Sequence, residues 1–257
     1  MTANIRTALV VLMLTLAGCA SVPRPTLMAE PDAREPIEAW ARVLDRFVDD
    51  AGRVDFKSLK ADRTDLDRYV AWVYDHSPAS HPALFPSRET VLAFHLNAYN
   101  ALSMHNILES GIPDTLAGFA MVRFFWLAKV RVGGQDISLY DYENKVIRAL
   151  GEPRVHFALN CMSVGCPTLP RVPFLATTLE AQLQRETLRF MNDPRHVRAD
   201  ASSRTVWLSE IFDFFPSDFL AVAPSFIAYA NRYRADPLPA DFQVKFIPYD
   251  WTVSAQR

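Results

Sequence analysis

The sequence lacks an excess of either charge, a second long apolar segment and the short motifs of several common enzyme classes. Its 27 lysine and arginine residues are balanced by 29 aspartate and glutamate residues, which argues against a surface for nucleic acid or anionic lipid. We find no phosphate-binding glycine loop, serine nucleophile elbow or metalloprotease helix, and no internal repeat. Half of the residues are hydrophobic, so the composition favours a compact globular domain.

The one long apolar run lies at the N-terminus. Arg6 precedes the apolar residues 7–17, which are too few for a comfortable membrane span and are typical of a signal peptide. The sequence LAGC at 16–19 resembles the lipobox of bacterial lipoproteins, in which the cysteine is acylated and becomes the first mature residue. An ordinary secretory signal with a chance cysteine is the alternative. We expect a signal peptide at 1–18 and lipidation, including palmitate, at Cys19.

The residues after Cys19 bear on location. An aspartate directly after the lipidated cysteine resembles an inner-membrane retention signal, but this position is Ala20. We therefore expect an outer-membrane, lipid-anchored, periplasm-facing protein, held by its acyl chains. Residues 19–36 carry four prolines and little apolar periodicity, which is typical of a flexible tether. Residues 37–257 are enough for one well-buried domain.

Helical periodicities and hairpin signals alternate along this domain. Helices are predicted at 36–52, 59–73, 88–109, 138–151, 177–192 and 224–234, two of them opened by capping boxes at 138–141 and 177–180. Hairpins are predicted at 124–138 and 196–208, and single strands at 53–56 and 242–247. Because no regular βα alternation is present, we predict an α+β fold, a single domain of mixed helices and antiparallel hairpins.

Three polar side chains fall on apolar helix faces. Asn97 and Asn100 lie on the side of the helix at 88–109 that carries leucine, alanine and methionine. A buried amide must be hydrogen-bonded, so these asparagines are expected to fix a neighbouring loop or to line a site. Glu143 shares an apolar stripe in the helix at 138–151, where it needs a partner or its pKa will rise. It would serve as a site acid, orient a histidine or form a buried ion pair.

Six motifs occur in an order that resembles the family called domain of unknown function 547. They are FHLNAYNAL at 94–102, the GG hairpin at 133–134 with Glu143, HFALNC at 156–161 with CP at 166–167, FMNDPR at 190–195, LSEIF at 208–212 and IPYDW at 247–251. The resemblance extends over roughly 54–253. It implies one domain, often exported or lipid-anchored in bacteria, without a settled activity. Bacterial members usually carry tryptophan at the place of His95 and often histidine at that of Asn144, and plant relatives often carry serine near Cys166.

One segment near the middle of the chain contains His156, Cys161 and Cys166 and allows three interpretations. A Cys161–Cys166 disulfide requires Cα atoms within about 4.4–6.8 Å, and the compartment beyond the inner membrane is oxidising. Alternatively, Cys161 is a thiol nucleophile at the end of an apolar strand, with His156 as base and Glu143 or Asn97 orienting the ring. Because residues five apart on one strand point to opposite faces, the chain must then turn between them.

A zinc site is the third interpretation. One histidine and two cysteines supply only three ligands, without the close spacing of structural zinc sites, so we predict no metal and no other cofactor. The other histidines are expected at the surface or in loops; they are His76, His81, His95, His105 and His196.

These residues define the predicted site and leave two functions open. The predicted cleft contains four catalytic candidates and two binding candidates: Cys161, His156, Glu143 and Asn97, and Asn100 and Cys166. One function is a non-catalytic envelope lipoprotein that binds a peptide, glycan or protein partner. The other is a Cys-dependent hydrolase or transferase acting on amide or ester bonds. A hydrogen bond between His156 and Cys161 in an open pocket would favour the enzyme, and a disulfide with His156 buried would favour the binding protein.

Overall fold

The computed structural model describes residues 21–27 and 35–256, so the predicted signal peptide and Cys19 lie outside the described residues. The α-helices in this part are α1 (Ile37–Phe47), α2 (Phe56–Ala61), α3 (Thr64–Asp75), α4 (Arg88–Glu109), α5 (Phe119–Val122), α6 (Leu139–Asp141), α7 (Leu179–Met191), α8 (Ile211–Phe214), α9 (Pro216–Leu220) and α10 (Phe226–Asn231). The strands are β1 (Lys129–Val132), β2 (Gln135–Ser138), β3 (Val197–Asp200), β4 (Thr205–Ser209) and β5 (Gln243–Ile247). The predicted α+β class is confirmed.

Short 3₁₀ and π turns connect several of these elements. They are Pro82–Leu84, Arg123–Leu127, Tyr142–Ile147, Arg148–Leu150, Pro153–Phe157 and Ala176–Thr178. None of the helices in the described residues is long and apolar enough to cross a membrane.

The predicted helix at 88–109 is confirmed as α4, and it is buried on all sides. Every residue from 92 to 108 is inaccessible to solvent or nearly so, because other elements surround α4 and its sequence is apolar through most of its circumference. The expectation that His95 and His105 lie at the surface is therefore wrong. Ser87 starts the helix with a capping box, since its hydroxyl accepts from the Thr90 N–H and the Thr90 hydroxyl accepts from the Ser87 N–H.

The first helices differ from the prediction, since α1 ends at Phe47 and the predicted helix at 59–73 is divided into α2 and α3. The strand expected at 53–56 is wrong, because the Asp55 carboxylate accepts from the Ser58 N–H and starts α2 at Phe56. Val54 alone makes bridge contacts there, with Val48 and Ala255.

Part of the predicted tether contacts the domain. Val22 is buried and donates its N–H to the carbonyl of Lys129 in β1, at 2.7 Å. The Tyr74 hydroxyl donates to the Val22 carbonyl, also at 2.7 Å. These bonds hold the chain against the domain at this point, where the sequence pattern had indicated a free linker.

Both predicted hairpins are confirmed, and the sheet order adds a parallel pair. β1 and β2 pair antiparallel around Gly133 and Gly134, whose φ angles of 58° and 82° suit a tight hairpin turn. The first arm is shorter than predicted, because Arg123–Leu127 forms a π turn. β3 and β4 are antiparallel, whereas β5 pairs parallel with β4 after the chain has passed through α8–α10.

Two further local predictions are wrong. The capping box predicted at 177–180 does not form: the residue before α7 is Thr178, which makes no side-chain cap hydrogen bond and whose hydroxyl donates to the Gln182 amide oxygen at 3.2 Å. The apolar strand expected before Cys161 is also absent from the described residues, where Pro153–Phe157 forms a 3₁₀ turn. Asn100 in α4 instead hydrogen-bonds the backbone groups that a neighbouring strand would have paired. Its Nδ2 donates to the Ala158 carbonyl at 3.0 Å, and its Oδ1 accepts from the Asn160 N–H at 2.7 Å.

The core consists of two hydrophobic clusters. The larger surrounds α4, and the smaller lies between α7–α10 and the sheet of β3–β5. His196, expected in a loop or at the surface, lies in a turn but is buried, with its ring stacked 4.1 Å from that of Phe190. Tyr249 packs against both clusters, so the segment that carries it joins them.

We predict that Asn100→Ala lowers the free energy of unfolding by about 2–4 kcal/mol, because it leaves a buried carbonyl and a buried N–H without partners. Urea unfolding followed by circular dichroism measures the loss. Asn106→Ala is the matched control: Asn106 is equally buried in α4 but makes one long bond, 3.4 Å, to the Phe124 carbonyl. Equal losses in the two variants would contradict the role assigned to Asn100.

Candidate functional site

A cavity of about 320 Å³ opens beside the central segment. Four of the six predicted site residues line it, namely Glu143, His156, Cys161 and Cys166. The rest of the wall is mostly aromatic: Tyr99, Phe125, Trp126, Tyr140, Phe214, Phe215, Tyr249 and Trp251. No lysine or arginine lines this cavity, so it suits an uncharged, apolar group.

The two cysteines lie side by side at this wall as free thiols. Their sulfur atoms are 3.0 Å apart without a bond between them. The turn expected for a disulfide is therefore present, and it is closed by Asn160, whose Nδ2 donates to the Pro167 carbonyl and whose Oδ1 accepts from the Met162 N–H, both at 2.7 Å. Met162 adopts a φ of 69° within this turn, a conformation that side chains other than glycine rarely take.

The two thiols have different surroundings. Cys166 Sγ accepts hydrogen bonds from the Cys161 N–H and from the Tyr249 hydroxyl, each at 3.0 Å. Burial alone would raise the pKa of Cys166, but hydrogen bonds from the Cys161 thiol, the Tyr249 hydroxyl and Ser163 stabilise the thiolate and bring that pKa below its ordinary value. Burial and the neighbouring Cys166 charge instead raise the pKa of Cys161. Of the two sulfur atoms, Cys166 Sγ is therefore the better stabilised as a thiolate.

Tyr249 reaches the thiols because the chain leaves room for its ring. A Cβ atom at Gly165 would lie 2.8 Å from the Tyr249 ring, so only glycine permits this approach. The backbone N–H of Tyr249 donates to the Glu210 carboxylate at 2.7 Å, which fixes the segment after β5. Tyr249 lies in the IPYDW motif, but no feature of that motif indicated contact with a cysteine.

Glu143 is a buried acid at the same cavity. Its Oε2 accepts from the Tyr99 hydroxyl at 3.0 Å, and its Oε1 lies 3.9 Å from His156 Nδ1. Burial is the main cause that raises the pKa of Glu143 to about 7, and the charge of Cys166 adds to it, against the lowering effect of the Tyr99 bond. Glu143 is therefore divided between its protonated and charged forms near neutral pH.

His156 is oriented by an aspartate that the sequence did not reveal. Its Nε2 lies 2.8 Å from Asp218 Oδ2, and its ring stacks 4.1 Å from that of Phe215. Burial lowers the pKa of His156, although Asp218 opposes this, so the ring is neutral at pH 7. In the neutral ring, Nε2 donates to Asp218 and Nδ1 keeps its lone pair. Nδ1 is buried and has no hydrogen-bond partner in the described residues.

Asp218 itself is fixed by Arg148. The guanidinium donates to both carboxylate oxygens at 2.7 Å. Burial alone would raise the pKa of Asp218, but the bonds from Arg148 and His156 hold that pKa well below its ordinary value. Asp218 lies at the start of α9, where an acidic residue is common for reasons of helix capping and dipole alone, so its sequence position did not distinguish it.

The two predicted asparagines do not line this cavity. Asn97 Nδ2 donates to the Phe174 carbonyl at 2.7 Å and its Oδ1 accepts from the Phe174 N–H at 2.9 Å. The Trp40 indole also donates to Asn97 Oδ1, at 3.3 Å. Asn100 holds the backbone just before Cys161 in the same manner. Both asparagines therefore fix loops, and only the loop held by Asn100 leads to Cys161. His156 makes no hydrogen bond to Cys161.

Among residues 21–27 and 35–256, no group of three or more histidine, cysteine, aspartate or glutamate side chains is arranged to hold a metal ion.

We predict that Glu143 makes the free energy of unfolding depend on pH. The folded protein binds this proton more tightly than the unfolded chain, so the contribution of Glu143 to stability is greatest below pH 4.5 and is lost as the pH rises to about 7. Between pH 4.5 and about 7, this loss in the free energy of unfolding is on the order of 3 kcal/mol. Glu143→Gln should abolish it, because glutamine does not titrate; urea unfolding at each pH measures the change. The exposed Glu89→Gln is the control. A Glu143→Gln profile parallel to that of the unchanged protein would refute the assignment.

The comparisons with known proteins identify the central part of the chain. No curated protein and no solved structure matched it. A family model did match, over a range narrower than the one the motifs had indicated, and it covers α4, the first hairpin, Glu143 and the two cysteines. Residues 84–191 match the family described as protein of unknown function, DUF547, the family that the motifs had predicted.

Proposed function

We propose that this protein is an outer-membrane lipoprotein whose periplasmic domain binds an apolar acyl group in the aromatic cavity and transfers or hydrolyses it through a cysteine thiolate. One observation carries the proposal: Cys166 Sγ, at the cavity wall, accepts hydrogen bonds from the Cys161 N–H and the Tyr249 hydroxyl. A thiolate so stabilised at neutral pH is the form of cysteine that attacks a carbonyl carbon.

The proposal assigns the nucleophile to Cys166 and a supporting role to Cys161. The Cys161 thiol, 3.0 Å away, is oriented as a further donor to the Cys166 thiolate, and the Ser163 hydroxyl lies 2.9 Å from Cys161 Sγ. This arrangement differs from the pair predicted from sequence, in which His156 activates Cys161. Here His156 is turned towards Asp218, and it serves a later step.

In the acylation step, the Cys166 thiolate attacks the carbonyl carbon of an ester or amide. A carbon–sulfur bond forms, the bond to the alcohol or amine breaks, and the leaving group takes a proton from protonated Glu143. The pKa of Glu143 near 7 suits such a general acid at neutral pH. The product is a thioester on Cys166.

In the deacylation step, His156 Nδ1 takes a proton from water, and the resulting hydroxide attacks the thioester carbon. The carbon–sulfur bond breaks, which regenerates the thiolate and releases the acid. The proton then passes from His156 to Glu143, whose Oε1 lies 3.9 Å from Nδ1. An alcohol or amine that replaces water makes the same sequence a transfer.

A non-catalytic binding function is the second candidate, and the cavity rim supports it. Trp126 and Tyr140 are 40% and 41% exposed and their rings stack at 5.0 Å, while Phe214 in α8 is 42% exposed. Exposed aromatic side chains beside a cavity are typical of surfaces that bind a peptide, a glycan or a protein partner. In that case the thiols contribute to the wall without reacting.

We predict that p-nitrophenyl butyrate acylates Cys166. The full-length protein, purified in detergent without reductant, is mixed with the ester, and peptide mass spectrometry locates the butyryl group. Cys166→Ser should abolish the adduct. Tyr249→Phe should slow acylation at neutral pH about tenfold, because the thiolate loses one hydrogen bond and its pKa rises.

Tyr140→Phe is the control for this experiment, since Tyr140 lines the cavity without contacting either thiol. Acylation of Cys161 in place of Cys166 would refute the assignment of the nucleophile. If neither cysteine is acylated, and both resist iodoacetamide until they are reduced, a disulfide joins them and the binding function is favoured.

We predict that Cys19 carries the lipid. Cells expressing the protein and fed with radiolabelled palmitate should give a labelled band in the outer-membrane fraction. Cys19→Ser should lose the label and leave the membrane fraction, because no acyl chain then anchors it. Cys161→Ser keeps the lipobox and is the matched control. A labelled Cys19→Ser protein, or an unlabelled unchanged protein, would contradict the lipoprotein assignment.

A further inference from the structure

A second cavity, of about 330 Å³, lies on the other side of the reactive segment. Cys166 and Pro167 line both this cavity and the aromatic one. The second wall differs in chemistry, since asparagine, serine, threonine, arginine and aspartate side chains replace the aromatic rings. The residue proposed as the nucleophile therefore separates an apolar compartment from a polar one.

Three hydroxyl groups of this second cavity make no hydrogen bond in the described part of the chain. They belong to Thr168, Thr252 and Ser254. The backbone groups of Thr252 and Ser254 are engaged elsewhere; the Ser254 N–H, for example, donates to the Met162 carbonyl at 2.8 Å. The hydroxyls thus remain free to donate to, and accept from, a group that enters the cavity.

The charges of this wall do not select an ion. Arg195 is paired with Asp193 at 2.6 Å. The remaining charged side chains, Arg53 and Asp250, are of opposite sign, so their effects on a bound ion largely cancel. Recognition in this cavity therefore depends on hydrogen bonding more than on net charge.

We propose that the two cavities are the two halves of one substrate site, in which the second takes an uncharged, hydroxyl-bearing leaving or accepting group while the aromatic cavity takes the acyl chain. This inference rests on the proposed acyl-transfer function and names its substrate class: an ester, thioester or amide that joins an apolar acyl group to a polyol-like alcohol, thiol or amine. The reactive carbonyl lies at Cys166, between the compartments.

The test uses three butyryl thioesters whose leaving thiols differ in hydroxyl content: 1-propanethiol, 2-mercaptoethanol and 3-mercapto-1,2-propanediol. The Cys166 thiolate attacks each carbonyl carbon, the substrate carbon–sulfur bond breaks and the free thiol departs with a proton. The rate of butyrylation of Cys166 in the full-length protein is followed by peptide mass spectrometry. For each hydroxylated thioester, the rate is divided by that of the propyl thioester. This rate ratio should be about three- to tenfold larger with the protein than with a free thiol such as N-acetylcysteine.

Thr168→Val replaces one cavity hydroxyl by a methyl group of the same shape, and Thr252→Val does the same at a second point. Each should reduce the hydroxylated-to-propyl rate ratio about threefold. Thr177→Val is the matched control, because Thr177 is exposed and lines neither cavity. Intrinsic differences between the thioesters cancel when ratios are compared between variants.

The outcomes separate this inference from the function on which it rests. If Cys166 is butyrylated with a rate ratio that neither valine variant changes, the thiol chemistry stands and the polar subsite is refuted. If none of the three thioesters, nor the p-nitrophenyl ester, acylates Cys166, both proposals are overturned. A ratio that falls equally in Thr177→Val would also refute the subsite.

Discussion

The site depends on the pair of hydrogen bonds between the Asn100 side chain and the backbone around Ala158 and Asn160. An amide on the most deeply buried helix cannot remain unpaired, and the irregular chain beside it has peptide groups that no strand takes up. The Asn100 amide and these peptide groups satisfy one another's hydrogen bonds. The clamp therefore fixes where the 3₁₀ turn that carries His156 ends and where the cysteine loop begins, and Asn160 then closes that loop through Pro167.

The cavity shows how one environment produces opposite ionisation behaviour. Burial raises the pKa of Glu143 and of Cys161, because the charged forms are poorly solvated. Cys166 is also removed from water, and Asp218 is partly so, but converging donors outweigh that effect and lower their pKa values. The result is an acid near neutrality, a neutral imidazole and a thiolate within one cavity, a division of roles that general acid–base and nucleophilic chemistry require.

Sequence periodicity predicted the elements that depend on local pattern. α4, both hairpins and the closing strand were found where expected, and the two asparagines in α4 were correctly expected to be hydrogen-bonded. The contacts of Asp218 and Tyr249 depended on chain segments far apart in sequence, since 62 positions separate His156 from Asp218, and no local signal marks such a pair. The helix pattern also failed for His95 and His105, because α4 is surrounded on every side and an amphipathic interpretation does not apply to it.

The difference between the two thiols follows from the shape of the loop more than from its composition. Met162 in a left-handed conformation turns the chain so that the Cys161 N–H points back to Cys166 Sγ, and Gly165 leaves space for the Tyr249 ring. Either change of backbone would remove a donor from Cys166 Sγ. A left-handed non-glycine residue costs about 1–3 kcal/mol, so stability alone would favour a relaxed turn here. A strained turn beside the cavity is expected where backbone geometry positions a reactive group.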